Sequence, residues 1–179
     1  WEEGRTVYTQ LTGEATLSGE LFDLPGGPLG MAVGITARRD KINDTPGEIT
    51  LAANAWGASS GGITAGKSVT TEAFGELSIP LLKDRPFFED LTISLAGRLT
   101  NVEATRDSDG VSASDNGNFT YKVGVNWALT DFLRFRGSYG TSFRAPALYE
   151  LFLADQTSFS SQRSDICGGY TGALAAGAI

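Results

Sequence analysis

From Phe119 to Phe143 apolar and polar residues alternate almost one for one. Phe119, Tyr121, Val123, Val125, Trp127 and Leu129 are interleaved with Thr120, Lys122, Gly124, Asn126 and Ala128. Past a tight turn at Thr130 and Asp131, Leu133, Phe135, Tyr139 and Phe143 alternate with Arg134, Arg136, Ser138 and Gly140. Successive side chains of a β-strand point to opposite sides, so the pattern describes two strands, each with one apolar and one polar face. It leaves one question open: whether the apolar face meets a protein core or lipid.

The same phase recurs along the chain. Strand-like runs fall at 7–22, 29–39, 69–79, 91–101, 119–129 and 132–143. No odd position in 7–21, 29–37, 69–79, 91–101, 119–129 or 133–143 carries a charge. Glu14, Glu20, Glu72, Glu76, Arg98, Lys122, Arg134 and Arg136 are all even. A one-residue slip would move these charges onto the apolar side, so the register of each strand is set. The links at 23–28, 80–90 and after Leu129 are short, whereas those at 40–68 and 102–118 and the stretch 144–179 are long. One rim therefore carries tight turns and the other large loops, as transmembrane β-barrels do with short periplasmic turns and long extracellular loops. Strands tilted ~40° across a ~25 Å apolar band need about ten residues each, which fits the runs. Tyr8, Phe22, Phe119, Tyr121, Trp127, Phe132, Tyr139 and Phe143 lie towards run ends, where interfacial aromatics belong. The expected fold is an all-β antiparallel meander of about six strands within a transmembrane barrel. A soluble β-sheet with one face on a core, such as a carbohydrate-binding or adhesion module, is the alternative.

Composition narrows the chemistry. The 179 residues contain no histidine, which removes His-based nucleophilic triads and the common zinc and haem sites. A net charge of −7 argues against nucleic acid. No run approaches the ~18 apolar residues of a membrane-spanning helix, and Trp1-Glu2-Glu3 does not open a signal peptide. Glu72 and Glu76 lie about 13 Å apart along a strand, too far for paired acid–base work, and read as polar wall facing Arg98. Asp107-Ser108-Asp109-Gly110 lacks the remaining ligands of a calcium loop and reads as a solvated bend. The glycines of Leu24-Pro25-Gly26-Gly27 make a turn, with no phosphate-binding helix after them. No enzyme, metal or cofactor is expected. Barrels of this type begin at ~8 strands, so six imply part of a larger barrel or closure by assembly.

GSYGTSFRAPALYELF, at 137–152, resembles a signature segment of TonB-dependent outer-membrane receptors, in which a strand ends in Phe-Arg-Ala-Pro before a Glu-Leu-aromatic turn. SGELFDLPGGPLGMAVGITARR and EAFGELSIPLL are similar to a hairpin and a strand of the same barrels. The likeness runs from about Thr12 to Cys167. It implies a 22-stranded barrel closed by a plug, of which residues 1–179 would be a partial barrel domain without plug or TonB box. It also implies a Gram-negative outer membrane, its lipid and the TonB complex as partners, and import of a scarce bulky nutrient (a ferric siderophore, a cobalamin or an oligosaccharide).

Within the motif, Pro146 lacks an N–H and biases Ala145 to extended geometry, so Phe143, Arg144, Ala145, Pro146, Glu150 and Leu151 read as a structural strand exit. Leu148, Leu151 and Phe152 have helical spacing, suiting a short helix over the rim. Trp56, Tyr149 and Tyr170 are candidate ligand contacts. Cys167 is either a disulfide half, as the resemblance implies, or a buried or free thiol.

Overall fold

A computed structural model describes residues 2–54 and 61–154. They form one antiparallel sheet whose strands lie side by side in chain order: β1 (Arg5–Leu24), β2 (Gly27–Thr45), β3 (Thr64–Arg85), β4 (Phe88–Arg106), β5 (Ser112–Thr130) and β6 (Leu133–Gly140). Two short helices interrupt it, α1 (Glu48–Leu51) between β2 and β3 and α2 (Leu148–Phe152) after β6. Among the described residues the sheet stays open, with β1 and β6 as its edges.

Register keeps the odd positions on one face. Gly19, Met31, Leu77, Leu95, Val123 and Tyr139 form a row across all six strands, each paired with the next. The neighbouring row on the other face is Glu20, Gly30, Ser78, Ser94, Gly124 and Ser138, from the same ladders. Among the described residues nothing covers the odd face: Leu11 is 71% exposed, Leu17 67% and Phe119 64%, and Ile35, Val69, Leu99, Val123 and Val125 are exposed as well. Most buried residues lie on the even face, including Asp40, Ile42, Thr64, Ser68, Thr70, Thr100, Val102 and Ala104. A soluble sheet would bury its large apolar residues; among the described residues no core lies beneath the odd face.

The uncharged odd band has membrane height. Ten residue steps from Leu91 to Asn101 rise about 34 Å along β4, or about 26 Å at ~40° tilt. Phe88, Trp127 and Phe135 stack near the turn rim, with ring centroids 5.6 and 5.9 Å apart. Phe119, Tyr121 and Tyr139 form a second cluster further along β5, at 6.3 and 6.2 Å.

Adjacent strands meet at one rim through the two-residue turns Pro25–Gly26, Pro86–Phe87 and Asp131–Phe132. Close packing fixes the first of these: a Cβ on Gly26 would lie 2.7 Å from the Pro80 carbonyl, where β3 bulges. Pro80 cannot donate to a ladder, which is why the irregularity falls there.

At the other rim the strands run beyond the sequence-derived runs. β2 and β3 extend to Thr45 and from Thr64, so the connection is 46–63 rather than 40–68. β4 and β5 are joined by a bend at 107–111, not by a loop over 102–118. Above the band the odd face turns polar, so the alternation is lost while backbone pairing continues, for example Asn43 with Ala65 and Thr105 with Ser112. The last strand is shorter than its run of 132–143, ending at Gly140. Thr141 N still donates to Tyr121 O (2.9 Å), but the Thr141 hydroxyl takes the Tyr121 N–H (3.1 Å) in place of a backbone carbonyl, and the chain leaves the sheet.

Candidate functional site

The even face is a polar wall with its own hydrogen-bond network. Asp40 is its most enclosed charge, 4% exposed. Its Oδ1 accepts Tyr8 Oη–H and Gln10 Nε2–H, each at 2.8 Å, and its Oδ2 accepts Arg38 Nε–H at 2.9 Å. Three donors meet the carboxylate that burial would otherwise penalise. Asp40 fell within a segment read from sequence as loop. The signal that would have found it is even phase continued one step past Arg38.

The expected pairing of Glu72 with Arg98 is present, at 3.0 Å, and Thr100 Oγ1 donates to the same carboxylate at 3.1 Å. The Arg98 guanidinium also lies 5.4 Å from the Phe74 ring centroid, a cation–π distance. Phe74 needs the room of Gly34 on β2, where a Cβ would meet its ring at 2.5 Å. Nearer the turn rim, Asp90 Oδ1 accepts Thr92 Oγ1–H (3.1 Å) and Asn126 Nδ2–H (3.2 Å), while Asn126 Oδ1 accepts Arg136 Nε–H (3.4 Å). Apart from Asp90 on β4, charge is uneven across this wall below Arg38. Glu14, Glu20, Glu72 and Glu76 stand on β1 and β3, whereas Arg98, Lys122, Arg134 and Arg136 stand on β4 to β6.

The segment after β6 folds inward over this face. Phe152 packs so closely on Gly66 that a Cβ there would run into its ring. Phe152 and Leu148 form a small core with Ile42 and Ala104, and Leu151 packs against it. Ala154 N donates to the fully buried Thr64 Oγ1 at 3.1 Å. These contacts join residues far apart in sequence, 90 positions for Ala154 and Thr64, and no local pattern announces them.

The signature residues take separate roles here. Phe143 is half-buried, and Arg144 donates to both oxygens of Glu150 at 2.8 and 3.0 Å. Glu150 Oε2 also accepts Ala147 N–H at 2.8 Å, half of a capping box, since Ala147 has no side-chain oxygen to return the bond. The Ala147 N–H, and after it the Arg144 guanidinium, hold the Glu150 carboxyl below its usual range. Pro146 and Ala145 lie between these groups, in the extended stretch before α2. Tyr149 is exposed on α2. Trp56, Cys167 and Tyr170 lie outside the described residues.

A sheet with one bare apolar face of membrane height and one hydrogen-bonded polar face is the wall of a transmembrane β-barrel. The chain belongs to the TonB dependent receptor-like β-barrel family, whose model matches residues 2–178. No curated protein and no solved structure matches the chain. Members of this family are outer-membrane transporters rather than enzymes.

Proposed function

We propose that residues 1–179 are the partial barrel domain of an outer-membrane receptor that imports a scarce bulky nutrient, driven by inner-membrane energy through TonB. The observation that carries this reading is that no large apolar residue of the odd face is buried and most are exposed, opposite a polar wall. The rim of two-residue turns faces the periplasm, and the rim bearing 46–63, 107–111 and α2 faces outward. The polar wall lines the route, and the loops on the outer rim select the solute. Energy would pass through a plug and TonB box, which the described sheet does not supply. The residues Phe143 to Pro146, with Glu150 and Leu151, are read as structural, turning the chain from β6 onto the wall. Trp56, Tyr149 and Tyr170 are proposed loop contacts to the nutrient, and Cys167 half of a loop disulfide.

Uptake of labelled ferric siderophores, cobalamin and oligosaccharides, compared in cells with and without the full-length receptor, tests this. One solute class should lose import on deletion and also when a protonophore collapses the proton gradient. Import unchanged by both treatments would overturn the proposal. The soluble-module alternative has no support from a face that buries nothing.

A further inference from the structure

At the outer end of the odd face the residues change sign of behaviour together. Above the apolar band β2 continues with Arg39 and Lys41, β3 with Lys67, and β1 ends at Arg5, all on the odd face. Arg39 pairs with Leu11 and Val69, and Lys41 stands directly opposite Lys67. Like charges in that position repel, so the strands gain nothing from them unless an anion lies between. The carboxylates nearest on this face are Asp107, 3.7 Å from Lys41, and Glu103, which pairs with Val69. Neither Arg39 nor Lys67 has an ion pair among the described residues. Beside the cluster runs a groove of about 590 Å³ lined by Arg5, Val7, Thr9, Lys41, Asn43 and Thr45.

Height decides what meets these cations. From Leu29, where the apolar face of β2 begins, to Arg39 is ten residue steps, about 26 Å across the membrane at ~40° tilt. Arg39 thus stands at the top of a ~25 Å hydrocarbon band, and Lys41 and Lys67 one row higher, at headgroup level. The turn rim shows no such excess, since Lys83 and Arg85 are mixed with Asp23, Asp84, Glu89 and Asp131.

We propose that Arg39, Lys41 and Lys67, with Arg5 at the groove, form a membrane-facing site for the phosphate of an anionic lipid headgroup, the acyl chains lying against the odd face below. The site rests on the barrel reading above but is separate from nutrient transport.

Detergent-purified full-length receptor, titrated with dihexanoyl phosphatidic acid, dihexanoyl phosphatidylcholine or inorganic phosphate, gives bound lipid by native mass spectrometry. Phosphatidic acid should be retained over phosphatidylcholine, and inorganic phosphate should not displace it. Arg39→Gln, Lys41→Gln and Lys67→Gln should each weaken retention by about fivefold. Lys122→Gln, on the opposite face, should leave it unchanged. A heat-dependent shift in gel migration establishes that each variant is a folded barrel. Retention unchanged in the triple variant, equal loss in Lys122→Gln, or displacement by inorganic phosphate would each overturn the site. A receptor that extracts with detergent and imports its nutrient, yet shows no lipid preference, sinks this inference alone. One that purifies folded without detergent sinks the membrane reading with it.

Discussion

Val123 and Asn126 stand three residues apart on β5 and face different media. Val123 lies in the odd row between Leu95 and Tyr139, exposed and without a polar neighbour on that row. Asn126 bridges Asp90 and Arg136 on the polar wall. An arginine at 123 would meet hydrocarbon near mid-height, at a cost of about 2–4 kcal/mol. One at 126 finds Asp90 within reach. In the full-length receptor Val123→Arg should therefore cut the heat-modifiable folded barrel severely, and Asn126→Arg should leave it near normal. Equal yields would contradict the facing assignment. Both facings were legible from residue parity, because a strand offers only two sides. The Asp40 cluster was not legible: Tyr8 and Arg38 meet there only once the register of β1 against β2 is set.

α2 is an element whose stability comes from its landing place. Five residues cannot hold a helix by propensity, so its fixing depends on Phe152 over Gly66, Leu148 beside Ile42 and Ala104, and the Arg144–Glu150 clasp. Burial of Phe in a full core is worth about 3–5 kcal/mol on truncation to Ala. Here the loss falls on the docking of one segment. Phe152→Ala should make residues 141–154 cleavable by added protease while the barrel keeps its heat-modifiable migration, and an uncleaved segment would deny Phe152 that role. Gly66→Val should do the same from the other side. Acid acts on the clasp. Glu150's carboxyl is held below its ordinary range in the docked state, so its contribution is present above the ordinary carboxylate range. That contribution fades as pH falls through the depressed value. Proteolysis of 141–154 should rise on acidification in the native receptor, and the Glu150→Gln variant should already be cleaved at neutral pH with a flatter pH response. Spacing alone made the helix legible through Leu148, Leu151 and Phe152. Its partners were hidden because they sit on β2, β3 and β4, far away in sequence. The upper halves of β2 to β5 escaped notice for a related reason: above the band the odd face is polar, while Ile42, Val102 and Ala104 on the even face are covered, so the apolar-odd pattern stops.

The whole molecule inverts the usual arrangement, with apolar side chains outside and polar ones within. The exposed odd face spans six strands, and nothing described covers it. The isolated chain should accordingly aggregate in plain buffer and disperse only in detergent. A monodisperse, cooperatively melting monomer without detergent would place the odd face against a core after all. Charge on the polar wall is uneven, with four glutamates on β1 and β3 and four cations on β4 to β6, where Asp90 is set among them. The architecture followed from parity, loop lengths and one signature segment. Nutrient choice does not, since loops recognise ligands by shape built from distant residues.

The central claim is that odd positions face lipid and even positions face water. Single nitroxide labels at each position from 119 to 129, in the full-length receptor with Cys167→Ser, reconstituted in bilayers, test it most directly. Collision rates with oxygen, which partitions into hydrocarbon, should peak at 119, 121, 123, 125, 127 and 129. Rates with a water-soluble nickel chelate should peak at 120, 122, 124, 126 and 128. Two series without opposite period-2 modulation, or odd labels immobilised and shielded from both reagents, would contradict it.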